Sequence, residues 1–268
     1  MQKIHFIKMV ASGNDFVVIK LPTPDSRLPN LSRRLCDRKY GVGADGLLVL
    51  EKSKIADIKM RIFNADGSEA EMCGNGARCA AFYSKLQTPN SQLKIETRAG
   101  VIKSKVSGNN IKIKLTDPKN IKLNISIKVN GRSIKVNFIN TGVPHAVIFV
   151  EGLAKINVFD IGREIRYHHK FLPKGTNVDF VEFTGGNSIK VRTYERGVED
   201  ETLACGTGSV AAALVGSWEL GVGSKGKINV LTKSGETLKV YFQRVGDKFS
   251  DVWLEGSAKI VYKGEYNV

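Results

Sequence analysis

Two of the four cysteines in this chain stand in nearly the same local sequence. Cys73 opens the string Cys-Gly-Asn-Gly, and Cys205, 132 positions later, opens Cys-Gly-Thr-Gly. A cysteine directly before a helix is exposed to the helix dipole and to unpaired backbone amides, which stabilise the thiolate and lower the thiol pKa from about 8.5. The glycines let the backbone approach a ligand closely and leave amides free to bind an anionic group. Each motif therefore predicts an activated thiol beside a carboxylate-binding turn.

The two motifs belong to a longer internal repeat. Three further pairs of segments match in the same order along the chain: 12–19 with 141–148, 44–49 with 178–181, and 61–63 with 192–194. The first two pairs have offsets of 129 and 134, close to the cysteine spacing and to half of the 268 residues. Matches that keep their order and nearly keep their offset predict two homologous halves.

Each half is predicted to consist of short strands and one central helix that follows its Cys-Gly turn. The expected helices are 30–36 extended toward Tyr40, 76–86, 161–168 and 208–220. The expected strands are 3–10, 15–20, 46–51, 57–63, 92–97, 100–106 and 110–115 in the first half, and 133–140, 145–150, 179–183, 188–194, 227–232, 235–243 and 250–256 in the second. These patterns rest on period-two alternation in the strands and on glycine-rich turns between them.

The organisation expected from these elements is an α+β protein of two pseudo-symmetric domains, each a mixed or antiparallel sheet wrapped around a central helix. Asp117-Pro118 punctuates the chain between the halves, which predicts an N-terminal domain over 1–117 and a C-terminal domain over 118–257. Residues 258–262 alternate as a strand and are expected to return to the first domain, so that 258–268 completes it.

Two thiols that approach one ligand from opposite sides suit inversion at a carbon atom. If the halves face each other across a cleft, one thiolate removes a proton from one face while the other thiol donates a proton to the opposite face. Removal of a proton next to a carboxylate produces an enolate-like dianion, which the amides at both helix starts would stabilise. The sequence gives no sign of a pyridoxal phosphate site, and two thiols make that cofactor unnecessary. We therefore expect no cofactor.

A metal site is not expected either. No pair of cysteines has the two-to-four-residue spacing of metal ligands, and the four histidines complete no ligand set with them. Without a secretory signal the cysteines are expected to stay reduced, and Cys36 and Cys79 are expected to be core residues. A cytoplasmic protein with no membrane association is expected, since no apolar run is long enough to span a bilayer.

The net charge of +15 raises nucleic acid as a partner. Much of the excess, however, lies in segments around 93–136 where lysine alternates with isoleucine, valine or leucine, which is typical of the solvent face of half-buried strands. We therefore expect a lysine-rich surface and no nucleic acid partner. The sequence leaves the oligomeric state open, and a homodimer is among the states it allows.

The motifs taken together resemble the diaminopimelate epimerase family over essentially the whole chain. The strings that carry the resemblance are Gly13-Asn14-Asp15-Phe16, Gly41-Val42-Gly43-Ala44-Asp45-Gly46, Phe63-Asn64-Ala65-Asp66-Gly67-Ser68, Met72 to Cys79, Gly142-Val143-Pro144-His145, Tyr194-Glu195-Arg196-Gly197 and Glu201 to Gly208. The resemblance implies cofactor-independent interconversion of LL- and meso-2,6-diaminopimelate, a step toward lysine and peptidoglycan.

By position, the resemblance assigns the acid–base pair to Cys73 and Cys205, with His145 and Glu195 beside them to assist proton handling or to bind the substrate amino group. It further implies substrate contacts from Asn14, Asn64, Gly74, Asn75, Asn177, Glu195, Arg196, Gly206 and Thr207. Some family members carry Gln at the position of Gly46 and Asn at that of Val143, so side-chain contacts from those two positions are absent here.

Other classes of function stay open at this point. Racemases of proline or hydroxyproline use a similar pair of Cys-Gly turns, although their substrate carries a single carboxylate. A redox or metal-binding protein could use paired thiols, in which case oxidation would switch it on instead of inactivating it. The charge alone would support a nucleic-acid-binding module, for which salt-dependent retention on DNA or RNA is the test.

Overall fold

The computed structural model describes residues 3–21 and 26–267. The chain divides into two compact units. Unit 1 comprises Met1–Lys114 and Glu255–Val268, and unit 2 comprises Leu115–Leu254. The domain boundaries expected from the sequence, after residues 117 and 257, lie three residues beyond these limits.

Unit 1 contains two helices among its strands. The helices are α1 (Leu28–Cys36) and α2 (Gly74–Gln87), and the strands are β1 (Lys3–Ala11), β2 (Asn14–Lys20), β3 (Gly46–Glu51), β4 (Ile58–Asn64), β5 (Glu69–Ala70), β6 (Gln92–Thr97), β7 (Gly100–Ser107) and β8 (Asn110–Lys114). From β1 to β7 the main pairings alternate: β1–β2, β3–β4 and β6–β7 are antiparallel, whereas β2–β3 and β4–β6 are parallel.

Unit 2 repeats this order of pairing. Its helices are α3 (Val158–Arg166) and α4 (Gly206–Glu219), and its strands are β9 (Lys119–Val129), β10 (Arg132–Asn140), β11 (Pro144–Phe149), β12 (Asn177–Gly185), β13 (Ser188–Glu195), β14 (Asp200–Thr202), β15 (Lys225–Leu231), β16 (Thr237–Val245) and β17 (Lys248–Ser257), the last of which ends in unit 1. The pairs β10–β11, β12–β13 and β15–β16 are antiparallel, and β11–β12 and β13–β15 are parallel. The α+β prediction of two related, sheet-rich halves is confirmed.

The last strand, β18 (Lys259–Asn267), pairs antiparallel with β1. In unit 2 the same flanking place, beside β10, is taken by β9. The end of the chain thus pairs with the first strand of unit 1, where residues 258–268 were expected to return.

Most residues of the central helices α2 and α4 are buried. The first four turns of α4 include Val210, Leu214 and Val215, none more than 2% exposed, and α2 is lined with buried alanines. Helix α4 is apolar all round and must be covered on all sides, here by the surrounding strands, whereas α2 also buries the polar side chains of Asn75 and Arg78. Helices α1 and α3 are amphipathic instead and pack on apolar clusters that include Leu47 in unit 1 and Phe180 in unit 2.

Strand register shows which positions correspond in the two units. In unit 1 Phe16 pairs with Gly46, and Gly46 with Asn64. In unit 2 His145 pairs with Asn177, and this is the first pair of the parallel ladder β11–β12, as Phe16 with Gly46 is of β2–β3. The central strand of unit 1 is therefore related to that of unit 2 by an offset of 131.

This register corrects one part of the sequence repeat. The match of 44–49 with 178–181 placed Asp179 opposite Asp45, but an offset of 131 places it opposite Leu48. The neighbouring antiparallel strands give the same offset: Leu48 pairs with Ile62, Asp179 pairs with Thr193, and both members of the second pair lie 131 positions after those of the first. The sequence match was wrong by three residues because it aligned Asp179 with Asp45, two residues of the same type that do not occupy the same place in the two sheets.

Three element predictions also need correction. Helix α1 ends at Cys36 instead of continuing toward Tyr40, because the Asp37 carboxylate accepts the amides of Lys39 and Tyr40 and forms a turn. Helix α3 begins at Val158, three residues before the predicted start, because the Asn157 side chain caps it. Strand β9 begins inside the predicted junction at 116–120 and fills the gap before the next expected strand at 133, where the lysine alternation indicated a strand but no bounds were assigned.

The lysine pattern is confirmed for the strands that suggested it. Lys94 and Lys128 are exposed and each stands between two buried apolar residues. Lys8 is an exception, since its side chain is only 7% exposed and pairs with a carboxylate described below. No helix in the described part of the chain is long and apolar enough to cross a membrane.

Candidate active site

Cys73 is the N-cap residue of α2, as its motif predicted. Its sulfur accepts a hydrogen bond from the Gly76 amide at 3.5 Å, and the thiol donates to Asn14 Oδ1 at 3.8 Å. The side chain is partly exposed. Unit 1 thus brings together two of the predicted site residues, Cys73 and Asn14, at the start of its buried helix.

A charged network behind Asn14 fixes how its amide points. Asn14 Nδ2 donates to Asp45 Oδ2 at 2.7 Å, and Arg38 donates to both Asp45 and Asp15, at 2.7 and 2.9 Å. The buried Lys8 ammonium lies 2.7 Å from Asp15. Because Asp45 takes the amide nitrogen, the amide oxygen must face the cysteine. Burial acts to raise the pKa of Asp15, but the hydrogen bonds from Arg38 and Lys8 prevail and hold that pKa well below its usual value.

The turn after Cys73 is held from inside the unit. Asn75 is buried, and its side-chain oxygen accepts a hydrogen bond from the buried Arg78 guanidinium at 2.6 Å. Gly74 and Asn75 are the first two helical residues, so their amides have no acceptor carbonyl within the helix. Asn64 lies at the exposed end of β4, where its side chain donates to Ser68 at 2.9 Å.

Unit 2 connects three predicted site residues in a row. Cys205 is the N-cap residue of α4, and its sulfur lies 3.4 Å from the Thr207 hydroxyl. The same hydroxyl lies 3.0 Å from His145 Nε2. Gly206, between the cysteine and the threonine, is the first helical residue. The row therefore runs from the thiol through a hydroxyl to an imidazole.

Two residues that the sequence did not place in the site extend this row into the interior. His145 Nδ1 lies 2.7 Å from Asp179 Oδ2, and Thr193 donates to Asp179 Oδ1 at 2.7 Å. His145 and Asp179 are fully buried. Asp179 stands between Val178 and Phe180 in a buried strand, and a carboxylate in such a strand needs partners, which is the signal that could have identified it.

Glu195 lies at the end of β13, close enough to Cys205 and His145 to affect both electrostatically. Burial raises the pKa of Glu195, against the lowering effect of a 2.8 Å hydrogen bond from Thr202 and of the nearby His145. Among the contacts of the described residues, Glu195 makes no ion pair with its neighbour Arg196, whose guanidinium donates to the Lys174 carbonyl.

The electrostatics of Cys205 differ from what its motif alone predicts. Burial, and then the charges of Glu195 and Asp179, raise its pKa well above the usual value, while the Thr207 hydroxyl and the Gly208 amide act in the opposite direction. The expectation of a lowered thiol pKa is therefore wrong for Cys205. The reason is that desolvation of a thiolate that is 7% exposed outweighs the start of one helix.

Asn177 and Arg196 are joined through the backbone. Asn177 is buried, its Nδ2 donates to the Pro144 carbonyl at 3.0 Å, and its Oδ1 accepts the Arg196 amide at 2.8 Å. The side chain thus ties the start of β11 to the loop after β13. The role of Asn177 as a substrate contact stays a prediction, and its observed bonds position Arg196.

Arg196 lines a cavity of about 600 Å³ within unit 2. Three other cations, Lys122, Lys170 and Lys174, share its lining, which includes no acidic residue. Phe138 and Phe171 stack in its wall with ring centroids 5.8 Å apart. A cavity of this kind favours an anionic ligand with an aliphatic portion.

The remaining cysteines agree with the core assignment. Cys36 and Cys79 are 3% and 0% exposed, and none of the four cysteines forms a disulfide. Burial raises the pKa of Cys36, so it is a poor nucleophile. The described residues contain no group of three or more His, Cys, Asp or Glu side chains arranged to hold a metal ion.

Comparison with known proteins gives a consistent family. Residues 6–121 and 137–261 match the family model described as diaminopimelate epimerase. A protein of Aquifex aeolicus named diaminopimelate epimerase is 44% identical over 277 residues, covering 97% of each chain. One of the same name from Methanocella arvoryzae is 42% identical and covers 100% of this chain and 98% of its own.

Solved structures show the same fold at low identity. A Bacillus anthracis protein of the PhzF phenazine biosynthesis family superposes with a TM-score of 0.79 at 19% identity, covering 100% of both chains. A hydroxyproline epimerase from Agrobacterium vitis has a TM-score of 0.70 at 16% identity, covering 98% of this chain and 92% of its own. At such identities these structures establish the fold alone.

Proposed function

The chain belongs to the diaminopimelate epimerase family, and on that premise we propose that it interconverts LL- and meso-2,6-diaminopimelate, with Cys73 and Cys205 as the acid–base pair. The observation that carries the proposal is that each cysteine is the N-cap residue of a buried helix, at corresponding places in two units of the same topology. We take the two units as the two domains of the enzyme, each supplying one thiol.

In the proposed reaction one thiolate removes the α-proton and the other thiol donates a proton to the opposite face of the carbon. The C–H electron pair passes into an enolate-like dianion, which the amides of Gly74, Asn75, Gly206 and Thr207 stabilise at the two helix starts. The reverse direction exchanges the roles of acid and base. These residues perform the proton transfers without an added cofactor.

The second end of diaminopimelate carries its own amino-acid group. Arg196, which faces the cation-lined cavity, is suited to pair with a carboxylate, and Asn14 presents its amide next to Cys73. Asn64 lies at the exposed end of the strand beside Gly46, where it is open to a ligand. His145 and Glu195 serve proton handling near Cys205.

The test is proton exchange at the substrate α-carbon. Purified protein incubated with LL-diaminopimelate in deuterated water, without added cofactor, should form the meso isomer and incorporate deuterium. Cys73→Ala and Cys205→Ala should each lower kcat by at least about 10²-fold, since each removes a group that transfers a proton. Cys79→Ala, a buried cysteine in the same helix as Cys73, is the matched control and should keep its activity.

Full epimerisation by either catalytic variant would overturn the two-thiol mechanism. Proline and hydroxyproline, assayed alongside, decide the substrate: turnover of either in place of diaminopimelate would refute the proposed specificity. Salt-dependent retention on DNA or RNA at physiological ionic strength would contradict the expectation of no nucleic acid partner. Since the mechanism needs free thiols, we also propose a cytoplasmic location, where cysteines are kept reduced.

A further inference from the structure

The two cysteines have the same backbone setting but different interiors behind them. In unit 2 the residues that face the start of α4 from β11, β12 and β13 are His145, Asp179 and Thr193. By strand register the corresponding residues in unit 1 are Phe16, Leu48 and Ile62, all apolar. A polar row therefore lies behind Cys205 and an apolar one behind Cys73.

The glycines that follow the two cysteines confirm this correspondence. A Cβ atom added at Gly208 would meet the Asp179 carboxylate, whereas one added at Gly76 would meet Leu48 Cδ2 at 3.0 Å and Ile62 Cδ1 at 3.5 Å. Asp179 in one unit and Leu48 in the other thus occupy the same place under the helix start.

Hydrogen-bond chemistry fixes the direction of the row. A carboxylate only accepts, so His145 Nδ1 carries the proton that faces Asp179, and the neutral ring presents an unprotonated Nε2 to Thr207. The Thr207 hydroxyl then donates to Nε2, which leaves its oxygen free to accept from the Cys205 thiol. All three links are within hydrogen-bonding distance.

We propose that Cys205 exchanges its proton with His145 through the Thr207 hydroxyl, and that Asp179 is the positioning residue that sets the tautomer of His145 for this transfer. This inference rests on the proposed function, which requires Cys205 to act as a base in one direction. The S–H bond of Cys205 breaks as an O–H bond forms on Thr207, and the original Thr207 proton passes to Nε2. The products are a thiolate and an imidazolium paired with the Asp179 carboxylate.

The relay accounts for how a buried thiol among carboxylates can become a base. Burial and the charges of Glu195 and Asp179 oppose a lone thiolate at position 205. A proton that moves only as far as His145 keeps the net charge of the buried group unchanged, so no uncompensated charge is created. The titratable groups that face Cys205 are Glu195, Asp179 and, through Thr207, His145.

Alkylation of individual cysteines separates the relay from a simple field effect. If Asp179 acted only through its charge, Asp179→Asn would remove a negative neighbour and make Cys205 more reactive toward iodoacetamide. The relay predicts the reverse, about a tenfold fall near neutral pH, because the imidazolium loses its partner. Peptide mass spectrometry gives both rates in one sample, and Cys73 serves as the internal control for folding.

The role of Thr207 is tested with a matched pair of variants. In Thr207→Ser, which keeps the hydroxyl, Asp179→Asn should still slow alkylation of Cys205. In Thr207→Val, which removes it, the effect of Asp179→Asn should reverse sign, since only the charge effect then remains. An unchanged or faster Cys205 reaction in the single Asp179→Asn variant, or an effect that survives Thr207→Val, would overturn the relay.

The histidine tautomer gives a readout that does not depend on alkylation. In ¹⁵N-histidine-labelled protein the wild-type His145 should show a protonated Nδ1, identified by comparison with His145→Gln. Thr193→Val, which removes one hydrogen bond from Asp179, is the milder variant if Asp179→Asn fails to fold. A protonated Nε2 in wild type would refute the assignment.

These measurements are independent of diaminopimelate. A wild-type protein that shows the relay but does not epimerise diaminopimelate would refute the proposed function and leave this inference standing. An active epimerase in which Asp179→Asn does not change the reactivity of Cys205 would refute the relay and leave the proposed function standing. In the active enzyme, Asp179→Asn should lower kcat with little change in KM, because Asp179 acts through His145 and not on the substrate.

Discussion

Gly208→Ala tests the placement of Asp179 without reference to any activity. A Cβ at this position would overlap Asp179 Oδ1, and that oxygen is bound by Thr193 while its partner oxygen is bound by His145. To admit the methyl group the carboxylate must rotate, which disturbs both bonds. Hydrogen bonds to charged groups contribute about 1.5–3 kcal/mol each, and Ala gains about 1 kcal/mol over Gly in a helix. We therefore expect a net loss of about 2–5 kcal/mol in the free energy of unfolding of unit 2.

The matched control is Gly76→Ala in unit 1. There the added Cβ meets the methyl groups of Leu48 and Ile62, at 3.0 and 3.5 Å, and the Cβ of Cys73 at 3.7 Å, and none of these atoms is polar. Overpacking of this kind costs about 1–3 kcal/mol, and the same helix gain offsets part of it, so the expected loss is at most about 2 kcal/mol.

Urea unfolding can assign each loss to its unit. Both tryptophans, Trp218 and Trp253, belong to unit 2, so their fluorescence reports on that unit, while far-ultraviolet circular dichroism follows the whole chain. Gly208→Ala should lower the fluorescence midpoint, and Gly76→Ala should leave it nearly unchanged. A Gly208→Ala protein with the wild-type fluorescence midpoint would refute the close packing of Asp179 under the helix start.

Three further predictions follow from burial and charge. Because burial raises the pKa of Glu195, its charged form destabilises the fold; Glu195→Gln should therefore match wild type below the usual pKa of 4.5 and become more stable than wild type as the pH rises, measured by thermal unfolding. Asp15→Asn removes the carboxylate that pairs with the buried Lys8 and should lower the free energy of unfolding by about 3 kcal/mol at neutral pH, measured by urea unfolding. The difference from wild type should shrink in acid, as Asp15 of the wild type becomes protonated. A difference that stays constant with pH would contradict the ion pair. Peroxide should inactivate the enzyme, reversibly with thiol reductant, and native alkylation should label the partly exposed Cys73 first; activation by oxidation would favour a redox role instead.

Local signals made much of the fold predictable from the sequence. Strand alternation and the two Cys-Gly turns identified both N-cap cysteines, because these features depend on residues a few positions apart. The end of α1 was missed because it depends on the Asp37 carboxylate, whose effect on the next amides outweighed the helical pattern. Strand β9 was missed because Pro118 and the asparagines after it resemble a loop.

Interactions between distant segments explain the rest. Parallel strands are joined by long connections, so the register of β11 against β12 could not be read from either strand, and Asp179 was matched to the wrong residue. The pKa of the Cys205 thiol is raised where the motif predicted a lowered value, and the reason is similar. The helix start that favours a thiolate is visible in the motif, but the burial and the two carboxylates that oppose it come from β12 and β13.

The asymmetry between the units bears on how a reversible two-thiol reaction is sustained. In the proposed mechanism the acid and base exchange protonation states in each turnover, and both thiols must also exchange protons with solvent. Cys73 is partly exposed and has direct access to water, so an apolar interior behind it is sufficient. Cys205 is 7% exposed, so its thiol cannot readily exchange a proton with water directly. A buried polar row is costly to fold unless every member is satisfied, and here each of its links is made. The repeated backbone thus presents two thiols alike, while the side chains behind them give each thiol its own route for the proton.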